Sequence, residues 1–99
     1  MFLGIDLGTS EVKLLLLDGQ GHIVATAGSA LKLSAPEPLW SEQAPGDWWR
    51  ATQAAVAQLR AAHADAFAQV RGIGLSGQMH GAVLLDDSDA ILRPAILWN

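Results

Sequence analysis

The first residues that could perform chemistry are Asp6 and the hydroxyl pair Thr9 and Ser10, which flank Gly8 near the start of the chain. Asp6 ends an apolar stretch that predicts a buried strand over residues 2–6, and a turn into a second strand follows. A turn that contains glycine exposes backbone N–H groups, which can approach an anion closely. Because Mg²⁺ is typically held by one or two carboxylates together with phosphates and water, Asp6 beside this turn predicts a site for a triphosphate and Mg²⁺.

The same residues have a plainer interpretation, in which the turn is an ordinary hairpin connection and Asp6 caps its own backbone. The turn is not a Walker phosphate loop, because it lacks the Gly-x-x-x-x-Gly-Lys-Ser/Thr pattern and joins one strand to another. Lys13 can reach a phosphate from the second strand, although a lysine on a strand more commonly lies in solvent. The short motif alone supports the phosphate site and the ordinary hairpin turn equally well.

A second group of polar residues follows a short apolar strand predicted over residues 70–76. Ligands of open α/β sheets bind beyond the carboxyl ends of parallel strands, which is the place of loop 77–81. Gln78 and His80 can exchange hydrogen bonds with hydroxyl groups, and Met79 can pack on the apolar edge of a ligand. The alternative, a surface loop with a solvated histidine, is the more common case for a sequence of this kind.

The elements that must position these residues follow from the hydrophobic pattern. Strands are predicted over residues 2–6, 11–17 and 22–33, and residues 18–21 are a strong hairpin signal between the second and third strands. The three strands therefore form an antiparallel meander. Residues 34–42 read as an extended loop.

A helix is predicted from Asp47 to residues 64–67, with Pro45 in its first turn and a poor N-cap at Ala44. Its buried face is expected to carry the residues that recur at spacings of three and four, namely Trp49, Thr52, Val56, Leu59 and His63. Passing from strand to helix to strand without a tight turn requires a crossover, so strand 70–76 should lie parallel to strand 2–6. A second hairpin is expected over residues 82–93, and the fold class is α/β.

The bulk composition excludes several classes of protein. The chain has 99 residues, of which 51% are hydrophobic and 16% charged, so one ordered domain or part of one is expected. A net charge of −4 with scattered basic residues gives no surface for nucleic acid or anionic lipid. The chain has no cysteine, no apolar run long enough to span a membrane and no basic region typical of a signal peptide. Cytoplasm is the expected location.

Taken together, the motifs resemble the FGGY carbohydrate kinases, which are members of the actin-like ATPase superfamily. The resemblance covers essentially the whole chain, with the motifs in the family's order. It is carried by residues 4–13, by residues 38–43 with Trp48 and Trp49, by residues 77–81 and by residues 93–99.

This resemblance implies a ribonuclease H-like fold and ATP-dependent phosphorylation of the 5-hydroxyl of D-xylulose. It implies that Asp6, as the catalytic and metal residue, holds Mg²⁺ through water near the β- and γ-phosphates. The residues implied to bind the phosphates of ATP are Gly8, Thr9 and Ser10, with Lys13 as a further candidate. The residues implied to contact the sugar are Gln78, Met79 and His80.

The resemblance also implies that residues 1–99 form the N-terminal part of the first of two kinase domains. The catalytic-base aspartate and the adenosine pocket are then expected beyond Asn99, so the 99 residues alone are expected to be inactive. An incomplete sheet edge beside strand 70–76 and the apolar residues 96–98 favour self-association, in the simplest case as a homodimer.

Three alternatives remain open at this stage. One is a kinase of another sugar or polyol, such as ribulose, gluconate or glycerol, which the Gln-Met-His sequence of loop 77–81 disfavours by resemblance. Another is a non-catalytic ATP-binding module of the actin superfamily. The third is a structural or interaction domain in which Asp6 only caps a turn.

Overall fold

The structure is a computed structural model that describes residues 1–97, so the expectations for Trp98 and Asn99 lie outside the described residues. No helix within residues 1–97 has the length and apolar character needed to cross a membrane. The elements in chain order are β1 (Phe2–Leu7), β2 (Glu11–Leu17), β3 (Ile23–Ala30), β4 (Glu42–Gln43), α1 (Pro45–Ala62), α2 (Ala64–Phe67), β5 (Gly72–Gly77) and β6 (Ala95–Ile96).

The main sheet has the strand order β3-β2-β1-β5, and β4 pairs with β6 in a separate two-stranded sheet. Strands β1, β2 and β3 form the predicted antiparallel meander. Strand β5 pairs in parallel with β1, as the crossover through α1 predicts, and aligns Asp6 with Ser76 and Leu7 with Gly77. The α/β fold class predicted from the sequence is confirmed.

The core lies between the sheet and α1. Strand β2 alternates as its sequence predicts, because Val12, Leu14 and Leu16 are fully buried on the face that α1 covers. Helix α1 lies mainly over β2 and β3. A helix that covers one half of a sheet leaves the other half, here β5, with apolar side chains in solvent.

The predicted buried face of α1 is wrong at two of its five members, Trp49 and His63. Trp49 is 66% exposed and His63 is exposed, whereas Thr52 and Val56 are half-buried and only Leu59 is fully buried. The helix buries two alanines instead, Ala51 and Ala55, in line with Leu59 at a spacing of four. Small side chains let the helix axis approach the sheet closely, so alanine can occupy the core while larger residues remain outside.

Several boundaries also differ from the prediction. Strand β3 is shorter than residues 22–33 because β2, its partner, begins at Glu11, which is opposite Ala30. Strand β5 begins two residues later than predicted and includes Gly77. The hairpin expected over residues 82–93 forms without a regular strand ladder. Its arms are joined by the isolated bridge between Leu85 and Ile91 and by backbone hydrogen bonds from Asp86 to Ala90 and from Leu92 to Leu84, and all but one of its residues are exposed.

The turn between β2 and β3 is stabilised by Asp18. Its carboxylate Oδ1 accepts hydrogen bonds from the backbone N–H groups of His22 and Gln20, each at 2.9 Å. These bonds, with that of His22 the larger cause, lower the pKa of Asp18 below its ordinary value. Because the folded-state pKa is lowered, the stabilisation is present above the ordinary carboxyl pKa and is lost as the pH falls through the folded-state pKa.

We therefore expect acidification below about pH 5 to weaken this turn through Asp18. The protection of the Gln20 and His22 amides against hydrogen exchange should fall with pH in the wild-type chain. In Asp18→Asn, which keeps an acceptor oxygen and does not titrate, this fall should be absent. The same fall in both proteins would show that Asp18 does not control the acid sensitivity of the turn.

Candidate functional site

The two motif groups that the sequence singled out meet at one end of the main sheet. Because β1 and β5 are parallel and Leu7 is aligned with Gly77, the loops that follow these strands leave the sheet side by side. They border an open cavity of about 470 Å³. The cavity is lined by Asp6, Leu7, Gly8 and Thr9 from the first segment and by Gly77, Gln78, Met79 and His80 from the second.

The turn after β1 offers fewer backbone donors than its sequence suggests. The N–H group of Gly8 donates to the carbonyl of Glu11 at 3.0 Å and closes the turn, so it is not available to a phosphate. The N–H groups of Thr9 and Ser10 have no acceptor within residues 1–97. Gly8 contributes space, because a Cβ atom there would lie 3.0 Å from the Glu11 carbonyl. The free donors of the turn are therefore those of Thr9 and Ser10.

Asp6 presents an exposed carboxylate at the cavity, and it makes no ion pair within the described residues. Residues 1–97 contain no group of three or more His, Asp or Glu side chains placed to hold a metal ion. Within residues 1–97, a cation at Asp6 would have only phosphate and water as its other ligands. That donor set suits Mg²⁺, which keeps several waters and commonly bridges a carboxylate to substrate phosphates.

Lys13 is not brought to the cavity with Gly8 and Thr9, the predicted phosphate ligands that line it. It lies opposite Asp6 in the β1–β2 ladder, but its ammonium group is 3.6 Å from a carboxylate oxygen of Glu11 on its own strand. It is absent from the cavity lining, as is Ser10. Lys13 as a phosphate ligand stays a prediction, and it would require the side chain to leave Glu11.

The second loop is held at both of its ends. At one end the N–H group of Gln78 donates to the carbonyl of Leu7 at 3.0 Å. At the other end Ala82 and Ile96 exchange two backbone hydrogen bonds, of 2.8 and 2.9 Å. Met79 and His80 between these anchors are exposed. These bonds fix the two ends of the loop, and Met79 and His80 between them line the cavity.

His80 has a φ angle of 61°, in the left-handed region that residues other than glycine rarely occupy. Such a conformation costs of order 1 kcal/mol or more and persists only where the surrounding structure imposes it. Its imidazole ring makes no hydrogen bond within residues 1–97, although the ring can both donate and accept. The loop therefore holds an unpartnered imidazole beside the cavity.

One residue that the sequence reasoning did not single out connects the two loops. Gln43 on β4 is 2% exposed, and its amide Nε2 donates to the carbonyl of Thr9. Its Oε1 accepts hydrogen bonds from Trp48 Nε1 and from Gln78 Nε2, each at 3.0 Å. No periodic pattern marks a lone glutamine in a loop as buried, so the sequence carried no signal beyond its place in the 38–43 motif.

The small β4–β6 sheet supports this glutamine. Gln43 is opposite Ala95 in the ladder, and the neighbouring Glu42 forms an ion pair with Arg93. Strand β6 also carries Ile96, which holds the end of the second loop at Ala82. Strands β4 and β6 thus fix both the glutamine and one anchor of the loop that it contacts.

The main sheet, with its antiparallel meander, parallel fourth strand and ligand loops at the carboxyl ends of β1 and β5, defines part of a ribonuclease H-like domain of the actin-like ATPase type. The whole chain, residues 1–99, matches the model of the FGGY family of carbohydrate kinases, N-terminal domain. The chain belongs to this family.

Relatives with curated names support the same grouping. The chain is 57% identical to a xylulose kinase of Klebsiella pneumoniae over 99 residues and 52% identical to that of Escherichia coli strain K12, in each case over the whole chain and 20% of the relative. The crystal structure of a xyloylose kinase from Brucella ovis superposes with a TM-score of 0.97 at 55% identity, over 99% of this chain and 21% of that one. The chain spans about a fifth of the length of these relatives.

Proposed function

We propose that residues 1–99 provide the first part of the N-terminal domain of a kinase that transfers the γ-phosphoryl group of ATP to the 5-hydroxyl of D-xylulose. The observation that carries the proposal is the meeting of the Asp6 turn and the loop of Gln78, Met79 and His80 at one cavity. The identity to xylulose kinases over the whole chain supports the choice of sugar. The cytoplasmic location stays a prediction.

The residues at the cavity divide into two proposed roles. On the phosphate side, the Thr9 and Ser10 N–H and hydroxyl groups would donate to phosphate oxygens, and Asp6 would hold Mg²⁺ through water. When bound, Mg²⁺ neutralises charge on the phosphates of ATP. On the sugar side, His80 and Gln78 would hydrogen-bond hydroxyl groups, and Met79 would pack on a carbon face of the sugar.

In phosphoryl transfer the protein contributes mainly positioning and charge stabilisation. The parallel pairing of β1 with β5 gives residues 1–97 a way to do this, because it fixes the distance between the phosphate turn and the sugar loop. The base that accepts the proton of the sugar hydroxyl, and the adenosine pocket, are proposed to come from parts of the complete protein outside residues 1–99.

Consumption of ATP by the complete protein in the presence of D-xylulose, ribulose, gluconate or glycerol tests the proposal. We expect D-xylulose to give the highest kcat/KM. A preference for another member of the panel would show that the proposed substrate is wrong and that the proposed kinase activity is right. Nucleotide binding without consumption stimulated by any of the four would instead favour a non-catalytic ATP-binding module.

The contribution of His80 can be separated from that of the backbone. We expect His80→Ala to lower kcat/KM for D-xylulose by roughly 2- to 12-fold, the range of one neutral hydrogen bond, with the affinity for a non-hydrolysable ATP analogue nearly unchanged. His80→Gly, which readily adopts a positive φ angle, should show a similar loss because it has no side chain that could bond the sugar. His63→Ala, at an exposed histidine away from the cavity, is the control.

If His80→Ala and His63→Ala have the same kinetics, His80 is a solvated loop residue. If only the alanine variant is impaired and His80→Gly behaves as wild type, the loss reflects backbone conformation, and the proposed contact between imidazole and sugar is wrong.

A further inference from the structure

The amide of Gln43 has only one orientation that satisfies its neighbours. Trp48 Nε1 can only donate a hydrogen bond and the Thr9 carbonyl can only accept one, so Oε1 must face the indole and Nε2 must face the carbonyl. Gln78 approaches the same Oε1 at 3.0 Å and must therefore present its own Nε2. The chemistry of the partners thus fixes the orientation of both amides.

One polar atom in this arrangement makes no hydrogen bond. The Oε1 atom of Gln78 is buried and has no hydrogen-bond partner within residues 1–97. A buried acceptor without a donor is costly, so a donor is expected at this atom from a ligand or from the rest of the complete protein. Gln78 also lines the cavity, where a sugar hydroxyl is the kind of donor that could satisfy this acceptor after a small movement of the loop.

We propose that Gln43 is a positioning residue that couples the phosphate turn to the sugar loop, an inference that rests on the proposed kinase function. One end of its amide holds the carbonyl of Thr9, the residue whose N–H group is free for a phosphate. The other end holds the side chain of Gln78 in the loop beside the sugar. Movement of either loop on binding its ligand is transmitted through one rigid, planar group.

The support of Gln43 makes this transmission effective. Gln43 is buried, and its backbone is held opposite Ala95 by the pairing of β4 with β6. Its side chain therefore cannot move with one loop without disturbing its hydrogen bond to the other. Coupling between two binding sites is reciprocal. The sugar should therefore strengthen nucleotide binding by the same factor by which the nucleotide strengthens sugar binding, and this factor should depend on Gln43.

The test compares Gln43→Met with Gln58→Met in the complete protein. Methionine has a similar length and no amide, so Gln43→Met removes all three hydrogen bonds and keeps most of the packing. Gln58 on α1 is a matched control, because its Nε2 also donates to a backbone carbonyl, that of Gly28, at 3.0 Å. This bond is exposed and involves neither of the two loops. The measured quantity is the affinity for a non-hydrolysable ATP analogue with and without saturating D-xylulose.

We expect D-xylulose to tighten analogue binding in the wild type and in Gln58→Met by the same factor. In Gln43→Met that factor should fall by roughly 2- to 12-fold, the range that corresponds to one hydrogen bond, or to unity if the wild-type factor is smaller. Thermal denaturation of each variant checks folding. A lower melting temperature with an unchanged factor would show that Gln43 only stabilises the fold and would overturn the inference, as would a wild-type factor of one.

If Gln43→Met does not fold, Gln78→Met still tests the inference. Gln78 is in a loop and only half-buried, so its replacement should disturb folding less. It should lower the same factor. Where Gln43→Met does fold, the two losses should not add in the double variant. Undiminished coupling in Gln78→Met overturns the inference. A wild-type protein that consumes no ATP with any sugar of the panel defeats the proposed function, whereas an active wild type with a Gln43-independent factor defeats only this inference.

Discussion

Replacement of Asp6 by asparagine in the complete protein is expected to lower kcat with D-xylulose by at least roughly 10²–10³-fold, the typical cost of one preorganised electrostatic group. Asparagine keeps the shape of the side chain and removes the charge that would orient Mg²⁺. The affinity for D-xylulose should change much less, because the proposed sugar contacts are on the other loop, at Gln78, Met79 and His80. Steady-state kinetics with titrated Mg²⁺ and calorimetric sugar binding give the two quantities.

The structure makes this experiment interpretable. The carboxylate of Asp6 is exposed and makes no ion pair within residues 1–97, so its neutralisation should leave the folded state intact. Asp65→Asn on α2, another exposed aspartate, is a control expected to retain wild-type turnover. Turnover of Asp6→Asn close to that of the wild type would show that Asp6 only caps its turn, the plainer interpretation of the motif.

The strands were predictable because their signal is local. The apolar residues of β2 and the glycine-rich turn before β3 specify a hairpin without knowledge of the rest of the chain. The face of α1 was predictable only in part, because burial of Ala51 and Ala55 depends on how closely the helix approaches the sheet. Exposed Trp49 carries a stronger hydrophobic signal than either alanine, so the pattern alone includes Trp49 in the buried face and omits the two alanines.

The candidate site, like the fold, was predictable from the sequence only in part. The Asp6 turn and the loop of Gln78 and His80 could each be recognised from short motifs. The crossover rule predicts that both lie at the same end of the sheet, where the parallel strands finish. The use of the Gly8 N–H group inside the turn depends on hydrogen-bond geometry that no motif encodes. The bonds of Gln43 to residues 34 and 35 positions away in sequence depend on the tertiary structure.

A polypeptide of residues 1–99 alone is expected to self-associate and to bind no D-xylulose at useful affinity. Within residues 1–97, β5 is an edge strand of the main sheet. Its residues Ile73 and Leu75 are 62% and 78% exposed. They are aligned with Leu3 and Ile5, so they extend the apolar sheet face that α1 covers mainly over β2 and β3. An apolar edge with unpaired backbone groups favours pairing with another chain, in the simplest case as a homodimer.

Light scattering after size exclusion should therefore give at least twice the monomer mass of 10.4 kDa for this polypeptide. Leu75→Lys should shift it toward the monomer, because a charge on an edge strand opposes strand pairing. Ile23→Lys is a matched control, since Ile23 is 63% exposed on β3, the opposite edge strand, and this variant should associate as the wild type does. Calorimetric titration with D-xylulose on the same samples tests binding, and a monomer that binds the sugar would contradict both parts of the prediction.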